Sequence, residues 1–370
     1  MKASRWSDED DEPVLKPETK RPKIEICSKL PKRCRNVGDA YQKIKKLGEG
    51  TYGVVFQGKD KSTGVVVALK QVKIDKEPYQ KQGFPVTALR EINILLSLKH
   101  PNIVNCSEMV IDDVEEEHFL PYRAFMVMEL FDHDIRSIID GFPSSHGFSQ
   151  GQIKCIVKQV LEGVKYMHNN WVLHRDLKTV NLLYNNNGRV CICDFGMSRK
   201  FDSPIRSYTQ DVVTLHYRAP EILFGSDTYD SASDMWSVGC VLAELLLKRT
   251  LFHGEGERQH LNSVIELLGP PDETLFSRLS HFKSLQWSKT VSVIPGGIRC
   301  MIPSSTVSSG GGFLTLTGMD LLSRMLCWDP TLRISAAESL DHPWFSEDFP
   351  PPLEVSEMPK FDLVTRQMIF

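Results

Sequence analysis

The strongest constraint on the fold is a change of pattern along the chain. Residues 41–73 consist of short β-branched runs separated by glycines, which is typical of strands joined by hairpin turns. Beyond them, apolar residues recur at helical spacing, as in Leu89, Ile92 and Leu96, and again over 153–164 and 235–247. The chain therefore has a strand-rich beginning and a helix-rich remainder.

The two ends of the chain differ in composition from its centre. The first residues are rich in proline and charge and lack aliphatic periodicity, so we predict a disordered arm over 1–40. A basic cluster within it, Lys16–Lys23, fits either a solvated linker or a nuclear-import signal. Periodic apolar sequence ends near Phe345, and we predict a proline-rich tail over 346–370. The folded domain is expected over 41–345.

Composition excludes several classes of partner. The net charge of −3 gives no reason to expect direct nucleic-acid or membrane binding. The longest apolar stretches, such as Val65–Leu69 and Leu242–Leu247, are far shorter than the roughly 20 residues that span a bilayer. An acidic run over 8–12 stands where a secretory signal would be basic and then apolar, so we expect a reducing compartment. The nine cysteines include no CxxC pair and are expected to be small buried hydrophobes.

A glycine-rich segment at the start of the strand region predicts a phosphate-binding turn. Gly48, Gly50 and Gly53 lack Cβ atoms, so backbone N–H groups there can approach phosphate oxygens. β-Branched residues follow these glycines, whereas a dinucleotide-binding fingerprint would continue into a helix. We therefore expect a hairpin that covers ATP, with nucleotide contacts from Leu47, Gly48, Glu49, Gly50, Thr51, Tyr52, Gly53, Val54 and Val55.

A lysine and a glutamate follow at the positions that such a hairpin needs. Lys70 ends the strand VALK and is suited to hold the α- and β-phosphates, while Ala68 leaves room for a flat base. A lone strand lysine is usually just exposed to solvent. Here, however, the next helix carries Glu91, whose carboxylate can pair with Lys70 and fix its position.

Two further motifs supply candidate catalytic and metal-binding groups. In HRDLKTVN, Asp176 can accept the proton of a substrate hydroxyl group and Asn181 can offer an amide oxygen to a metal. In DFG, Asp194 follows an apolar strand-like run and can present a carboxylate to magnesium. Each carboxylate alone is equally well explained as a helix cap or a surface charge.

The order of these motifs decides between the two explanations. The motifs occur together in one order: glycine turn, lysine, helix glutamate, HRDLKTVN, DFG and APE (Ala219–Glu221). In this order they resemble the eukaryotic protein kinases over about Tyr41–Phe345. The resemblance implies an α+β, bilobal kinase fold: a small β-rich N-lobe with one regulatory helix at about 41–130 and a large helical C-lobe at about 131–345. It also implies ATP and Mg²⁺ in the cleft between the lobes, and serine/threonine specificity from Lys178.

The kinase resemblance assigns further residues. It implies that Met128 lies at the back of the adenine pocket, that Glu129 and Phe131 belong to the hinge, and that Asp134 binds the ribose. It also implies two structural contacts in the C-lobe: an ion pair between Glu221 and Arg333, and a position beneath the catalytic loop for Asp234.

A narrower resemblance concerns the segment PVTALRE, Pro85–Glu91, which is similar to the PSTAIRE and PITSLRE helices of cyclin-dependent kinases. LGPPDE and VVTLHYRAPE also match that group, and HRDLKTVN, MVMELFDHDI and NNWVLHRD look most like its PITSLRE-type branch. The resemblance implies a cyclin, of the L type in that branch, bound through this helix. It also implies a role in transcription, splicing or the cell cycle, and a location in the nucleus, the cytoplasm or both, with the nucleus favoured.

The same resemblance implies regulation by phosphorylation. Thr209 aligns with the activating phosphothreonine, and Arg90, Arg175 and Arg199 match the three arginines that bind it, although a plain loop threonine is the alternative. Thr51 and Tyr52 match inhibitory phosphorylation sites, because added negative charge would oppose the ATP phosphates. A threonine and a tyrosine that pack at a hairpin tip are the alternative there.

Substrate preference is also implied by resemblance. Val212, Val213 and Arg218 match the pocket that favours proline after the acceptor, so protein substrates with Ser-Pro or Thr-Pro are expected. His216 stands where the group has tryptophan, so strict proline direction is a hypothesis.

Two other functions compete with this interpretation. A non-catalytic scaffold would keep the fold and bind a cyclin, but intact Lys70, Glu91, Asp176, Asn181 and Asp194 argue against it. A cyclin-independent kinase of the mitogen-activated type would carry a TxY pair, whereas Gln210 and Asp211 follow Thr209.

Overall fold

The computed structural model divides the chain into two units, Met1–Cys34 and Arg35–Phe370, and describes only Cys34 of the first. Every element below belongs to the second unit. The described residues are 34–50, 53–74, 84–113, 122–143, 146–201, 214–226, 230–275, 291–302, 313–347, 349–362 and 367–369.

The first lobe is built on a six-stranded sheet. Its strands are β1 Arg35–Asn36, β2 Tyr41–Gly50, β3 Gly53–Asp60, β4 Val66–Gln71, β5 Cys106–Asp113 and β6 Tyr122–Glu129. They lie in the order β1-β5-β6-β4-β3-β2, with β1 parallel to β5 and the remaining pairs antiparallel. Side chains alternate between the two faces of a strand, so Leu69 packs on one face of β4 while Ala68 and Lys70 face the helical side.

The ordered part of this lobe begins earlier than we predicted. Residues 35–40, which we assigned to a disordered arm, form β1 and the short helix α1, Val37–Ala40. Val37 and Ala40 are buried against Leu69 and Phe125 on the outer face of the sheet. Burial of these two apolar side chains on the sheet helps to order a segment whose composition resembles that of the arm before it.

Helix α2, Val86–Ser97, is the long helix described in the first lobe. Glu91, Ile94 and Leu95 are buried on its inner side. Val86, Leu89 and Leu96 are exposed, and their spacing places all three on one face of the helix. The segment PVTALRE therefore forms the predicted helix with Glu91 pointing inward.

The second lobe is helical. The elements are α3 Ile135–Gly141, α4 Gln150–Asn169, α5 Pro220–Leu223, α6 Ser231–Leu247, α7 Glu257–Leu268, α8 Ile298–Met301, α9 Leu316–Met325, α10 Ala336–Leu340 and α11 Pro343–Ser346, with 3-10 turns at Thr179–Asn181, Phe195–Met197, Leu215–Tyr217 and Val355–Glu357. A capping box between Ser149 and Gln152 starts α4. Helix α6 is mostly apolar and is buried along nearly its whole length, including its two carboxylates, Asp234 and Glu244.

Short strands position the loops of the site. They are β7 His133–Asp134, β8 Val172–Leu173, β9 Leu182–Tyr184, β10 Val190–Ile192, β11 Arg199–Lys200, β12 Lys360–Asp362 and β13 Gln367–Ile369. Strand β9 lies between β10 and β7, β11 pairs with β8, and β12 pairs with β13. Through this pairing, Asp134 lies opposite Leu183.

One large apolar cluster contains residues of both lobes, from Ala68 and Ile94 to Trp236 and Phe345. The predicted α+β fold, with a β-rich first lobe and a helical second lobe, is confirmed. Of the helices that the structure describes, none has both the length and the apolar character needed to cross a bilayer. Cysteines were expected to be buried; this is wrong for Cys300, which is exposed.

Candidate active site

A cleft of about 490 Å³ lies between the sheet and the helical lobe. Apolar side chains of both lobes form its walls, which suits a flat heterocyclic ring. The predicted nucleotide and metal residues that line it are Leu47, Gly53, Val55, Ala68, Lys70, Met128, Glu129, Phe131, Asp134, Asn181 and Asp194.

The glycine-rich segment forms the predicted hairpin at the mouth of this cleft. Gly48 pairs with Val55 and Gly50 pairs with Gly53 across β2 and β3. Gly53 has φ of +133°, and a Cβ atom there would lie 2.2 Å from the carbonyl oxygen of Gln71. Only glycine therefore fits this position.

Other predicted members of the hairpin contribute differently. Glu49 pairs with Val54 in the same ladder. Neither Val54 nor Gly48 is among the residues that line the cleft. Thr51 and Tyr52 lie outside the described residues.

Lys70 is at the centre of a charged cluster in the cleft. Its Nζ donates to Oε1 of Glu91 at 2.7 Å and to Oδ1 of Asp194 at 3.2 Å. Burial opposes the charged form, but the two carboxylates outweigh it and raise the pKa of the Lys70 ammonium group above its ordinary value. The structure thus brings together a strand lysine, a helix glutamate and the DFG aspartate, as predicted.

The DFG turn has a strained backbone. Asp194 has φ of +63° and ψ of 72°, in the left-handed region that aspartate tolerates better than most residues. Phe195 is completely buried, and its ring packs edge-on against His174 with ring centroids 5.0 Å apart. Packing of Phe195 thereby holds the turn in the conformation in which Asp194 faces the cleft.

Asp176 is held from several directions. Lys178 Nζ donates to Asp176 Oδ2 at 2.7 Å and to the hydroxyl oxygen of Thr214 at 2.8 Å. Thr214 donates to Asp176 Oδ1 from its hydroxyl at 2.9 Å and from its backbone N–H at 3.1 Å. These contacts fix the orientation of the carboxylate that we predicted as the proton acceptor.

Asn181 closes the catalytic loop. Its Nδ2 donates to the backbone oxygen of Asp176 at 2.8 Å and to Asp176 Oδ2 at 3.1 Å. With the amide nitrogen used in this way, the amide oxygen is the atom that can bind a cation. An amide oxygen and the carboxylate of Asp194 are hard oxygen donors of the kind that Mg²⁺ prefers, so the residues present fit this ion.

Asp234 supports the loop from below. It is fully buried and accepts backbone hydrogen bonds from His174 and Arg175, both at 2.9 Å, and one from His168 Nε2 at 3.0 Å. Burial opposes ionisation, yet the hydrogen bond from His168 and the other donors keep the pKa of Asp234 below its ordinary value. Arg175 has φ of +70°, so the two backbone bonds hold a strained residue in place.

The ion pair between Glu221 and Arg333 is present. Arg333 donates to the two carboxylate oxygens at 2.8 and 2.9 Å, and both residues are buried. The guanidinium group also donates to the carbonyl oxygens of Ala232 and Cys327, at 2.7 and 2.9 Å. This pair connects α5 to the loop between α9 and α10.

The three predicted phosphate-binding arginines lie on three different segments of the chain. Arg90 lies on α2, Arg175 precedes Asp176 and is buried, and Arg199 lies on β11. Thr209 lies outside the described residues, as do Val212 and Val213.

The segment after residue 213 forms a platform that contacts α7. Arg218 donates to Oε1 of Glu257 at 2.7 Å. His216, which stands at the family's tryptophan position, contacts the carbonyl oxygen of Gly254 through Nε2 at 3.3 Å. His260 is buried behind it, and burial lowers the pKa of its imidazole to about 4.

Some residues of the site were not predicted. Thr214 carried no motif signal beyond its place in TLHYR, although it makes the closest contacts to Asp176 outside the catalytic loop. The cleft is also lined by residues to which the sequence analysis assigned no role: Val104, Leu130, Asp132, His133, Leu183 and Cys193. Cys193 directly precedes DFG, and burial raises the pKa of its thiol.

Comparison with known proteins gives concordant results. The family model described as protein kinase domain matches residues 41–345. The chain is 44% identical over 350 residues to cyclin-dependent kinase G-1 of Oryza sativa subsp. indica, which covers 92% of this chain and 48% of the relative. It is 41% identical over 331 residues to probable cyclin-dependent kinase 10 of Dictyostelium discoideum, which covers 88% of this chain and 84% of the relative.

A human relative is similar over nearly the whole chain. Identity to cyclin-dependent kinase 11B of Homo sapiens is 39% over 364 residues, which covers 96% of this chain and 42% of the relative. The chain spans about half the length of the plant relatives that it matches, with 45 to 51% covered.

Proposed function

The chain belongs to the protein kinase family, within the cyclin-dependent kinases, and from this premise we propose that it transfers the γ-phosphoryl group of ATP to serine and threonine hydroxyl groups of proteins. The observation that carries the proposal is the meeting of Lys70, Glu91 and Asp194 in the cleft. Burying two carboxylates with one ammonium group costs desolvation energy and is weak evidence for a role in stability, so we attribute the cluster to function.

Two substrates must meet at this site. The apolar part of the cleft, lined by Ala68 and Met128, accepts the adenine ring, and the Lys70 ammonium group binds the α- and β-phosphates. Asp194 and Asn181 would hold Mg²⁺, which neutralises charge on the phosphates when it is bound. The acceptor hydroxyl group enters from the side of Asp176 and Thr214.

The chain's own groups then prepare the acceptor. Asp176 accepts the proton of the serine or threonine hydroxyl group, and its carboxylate is aimed by Lys178, Asn181 and Thr214. Lys178 also supplies positive charge beside the phosphoryl group in transit. Positioning and charge account for most of the expected acceleration, as is usual in phosphoryl transfer.

A phosphotransfer assay tests the proposed function. Full-length chain, purified with its bound cyclin, is incubated with Mg·ATP and a Ser-Pro peptide, and phosphopeptide is quantified by mass spectrometry. We expect Asp176→Asn to lower the rate at least about a hundredfold, the contribution of a general base, while ATP still binds. The exposed change Asp341→Asn is the matched control. Equal rates for wild type and Asp176→Asn would contradict the proposal, and a non-catalytic scaffold would transfer nothing at all.

A cyclin is the proposed partner, and an L-type cyclin is the narrower proposal. Support comes from α2, where Val86, Leu89 and Leu96 form an exposed apolar stripe opposite the side that carries Glu91. A partner that covers this stripe would hold α2 where Glu91 reaches Lys70. We therefore propose that the lone chain has low activity and that the complex is the active form.

Phosphorylation of Thr209 is proposed to complete activation, with Arg90, Arg175 and Arg199 as the cations that bind the phosphate. A Thr209→Ala chain in the cyclin complex is expected to have lower activity than wild type. Phosphorylation of Thr51 or Tyr52 is proposed to inhibit, because the added charge would repel ATP.

Proline direction and nuclear location complete the proposal. Arg218, fixed by Glu257, supports a preference for Ser-Pro or Thr-Pro acceptors, which a peptide library would measure. The cluster Lys16–Lys23 supports nuclear import, and imaging of a tagged chain with and without this cluster would test it.

A further inference from the structure

The segment after the last helix, residues 349–362, is packed along the helical lobe, and we call it the strap. Near its start, the buried ammonium group of Lys154 donates to the carbonyl oxygen of Pro350 at 2.8 Å. Next, the backbone N–H of Leu353 donates to the carbonyl oxygen of Gly151 at 3.1 Å. Both contacts join the strap to the first turns of α4.

Farther along, the strap closes on the turn between β9 and β10. Gly188 in that turn has φ of +84°, and a Cβ atom there would lie 1.9 Å from the carbonyl oxygen of Val355. Tyr184 on β9 donates its hydroxyl hydrogen to the carbonyl oxygen of Pro359. The backbone of the strap and the turn between β9 and β10 approach each other so closely that only glycine fits at position 188.

Phe361 ends the packed part of the strap in an aromatic pocket. It is only 5% exposed. Its ring meets those of Tyr184, Phe142, Phe148 and His133 edge-on, with centroid distances of 5.4, 5.9, 6.1 and 6.4 Å. Edge-to-face contacts of this kind stabilise a fixed ring orientation.

The backbone of Phe361 is held as firmly as its ring. Its N–H donates to Asn186 Oδ1 at 2.8 Å, and its carbonyl oxygen accepts from Asn186 Nδ2 at 3.1 Å. The same carbonyl oxygen accepts from His133 Nε2 at 2.8 Å. Asn186 in turn donates its backbone N–H to Asp132 Oδ2 at 2.8 Å.

These contacts end at the nucleotide cleft. Asp132, His133 and Asp134 all line it, and His133 and Asp134 form β7. Asp134 also accepts from the backbone N–H of Ser137 at 2.8 Å, so it caps α3 while facing the cleft. Phe361 and Asn186 therefore hold the segment that leads from the hinge into the helical lobe.

We propose that the end of the strap, at Phe361, takes part in nucleotide binding and that Phe361 and Asn186 are positioning residues for the ribose end of ATP. They act through His133 and Asp132, and they fix β7 so that Asp134 faces the ribose. The inference rests on the proposed function, because it assumes that ATP occupies the cleft.

A binding experiment on the full chain tests this inference. Affinities for Mg·ATP and for adenine, which lacks the ribose, are measured by competition with a fluorescent nucleotide. We expect Asn186→Ala and Phe361→Leu to weaken Mg·ATP binding about fivefold, the usual effect of one lost hydrogen bond. Adenine binding should not change. Hydrogen exchange should be faster at the backbone amides of His133 and Asp134.

Matched controls lie in the same two segments. Phe349→Ala removes an 83% exposed phenylalanine of the strap, and Asn187→Ala changes the exposed neighbour of Asn186. Both should bind Mg·ATP and adenine as wild type does.

Three results would overturn the inference. Equal Mg·ATP affinity for wild type and Asn186→Ala would leave the strap a purely structural element. Equal weakening of Mg·ATP and adenine would indicate general loss of structure instead of an effect at the ribose. If wild type itself bound no Mg·ATP, the proposed function would fail together with this inference, so the two failures are distinguishable.

Discussion

Thr214 donates two hydrogen bonds to one oxygen of Asp176, from its hydroxyl at 2.9 Å and from its backbone N–H at 3.1 Å. Asp176 belongs to the catalytic loop, whereas Thr214 begins the platform before APE. The platform therefore orients the Asp176 carboxylate, which we propose as the acceptor of the substrate's proton. Thr214 therefore couples the position of the platform to the orientation of the Asp176 carboxylate.

Replacing Thr214 by valine removes the hydroxyl donor and keeps the shape of the side chain. We expect the rate of phosphoryl transfer to fall about tenfold or more, since hydrogen bonds to charged groups contribute about 1.5–3 kcal/mol. The affinity for ATP should stay the same. Single-turnover kinetics would measure the first quantity and nucleotide titration the second. Thr214→Ser keeps the donor and should keep the rate; a slow serine variant would contradict this role.

Arg333→Met should destabilise the helical lobe by about 3–5 kcal/mol, because the Glu221 carboxylate would remain buried without its partner. Urea unfolding followed by circular dichroism would measure the change. Arg324→Ala is the control, since its pair with Asp320 is exposed and such pairs contribute about 1 kcal/mol or less. Similar losses of stability in the two variants would argue against a special cost of leaving the buried Glu221 carboxylate without its partner.

Stability should fall as the pH drops from about 6.5 to about 4, because of His260. Its folded pKa, about 4, is below the unfolded value of 6.5, since the ring is buried and faces His216, Arg218 and His253. At pH values between these two pKa values the unfolded chain binds a proton that the folded chain does not. The free energy of unfolding therefore falls by at most about 3 kcal/mol. His260→Gln should lack this part of the slope in urea unfolding at several pH values. An unchanged slope would exclude His260 as its source.

Leu89→Glu places a charge in the exposed stripe of α2, where Leu89 is 52% exposed. We expect at least about a thirtyfold loss of affinity for the cyclin, as for an interface residue that contributes about 2 kcal/mol. ATP binding to the lone chain should not change. Thr87→Glu, exposed on another side of the helix, is the control. Retained cyclin binding by Leu89→Glu would remove α2 as the docking surface.

Motif order predicted most of the cleft, because its residues follow regular elements. Lys70 is the penultimate residue of strand β4, Glu91 lies on the inner side of an amphipathic helix, and Asp194 follows a buried strand. In each case the pattern of the element fixes the direction of the side chain. The chemical types and their order then indicate what the side chains bind.

The residues that sequence reasoning missed depend on contacts between distant segments. His133 and Phe361 meet across 228 positions of the chain. His133 lies within the matched segment MVMELFDHDI but was given no role, and no motif includes Phe361. The sequence around Phe361 is proline-rich and aperiodic, which is also typical of unpacked tails. A pocket formed by other elements orders it, and such a pocket is not visible in one linear pattern.

The buried ammonium group of Lys154 has a practical consequence for anyone who wishes to crystallise the catalytic part alone. A fragment trimmed to residues 41–345 would include Lys154 on α4 but lose the Pro350 carbonyl oxygen that it contacts. It would also lose Val355 and Met358, which lie against Gly188, and Phe361, whose ring packs against Tyr184. Expression boundaries should therefore begin before Arg35 and extend beyond Asp362.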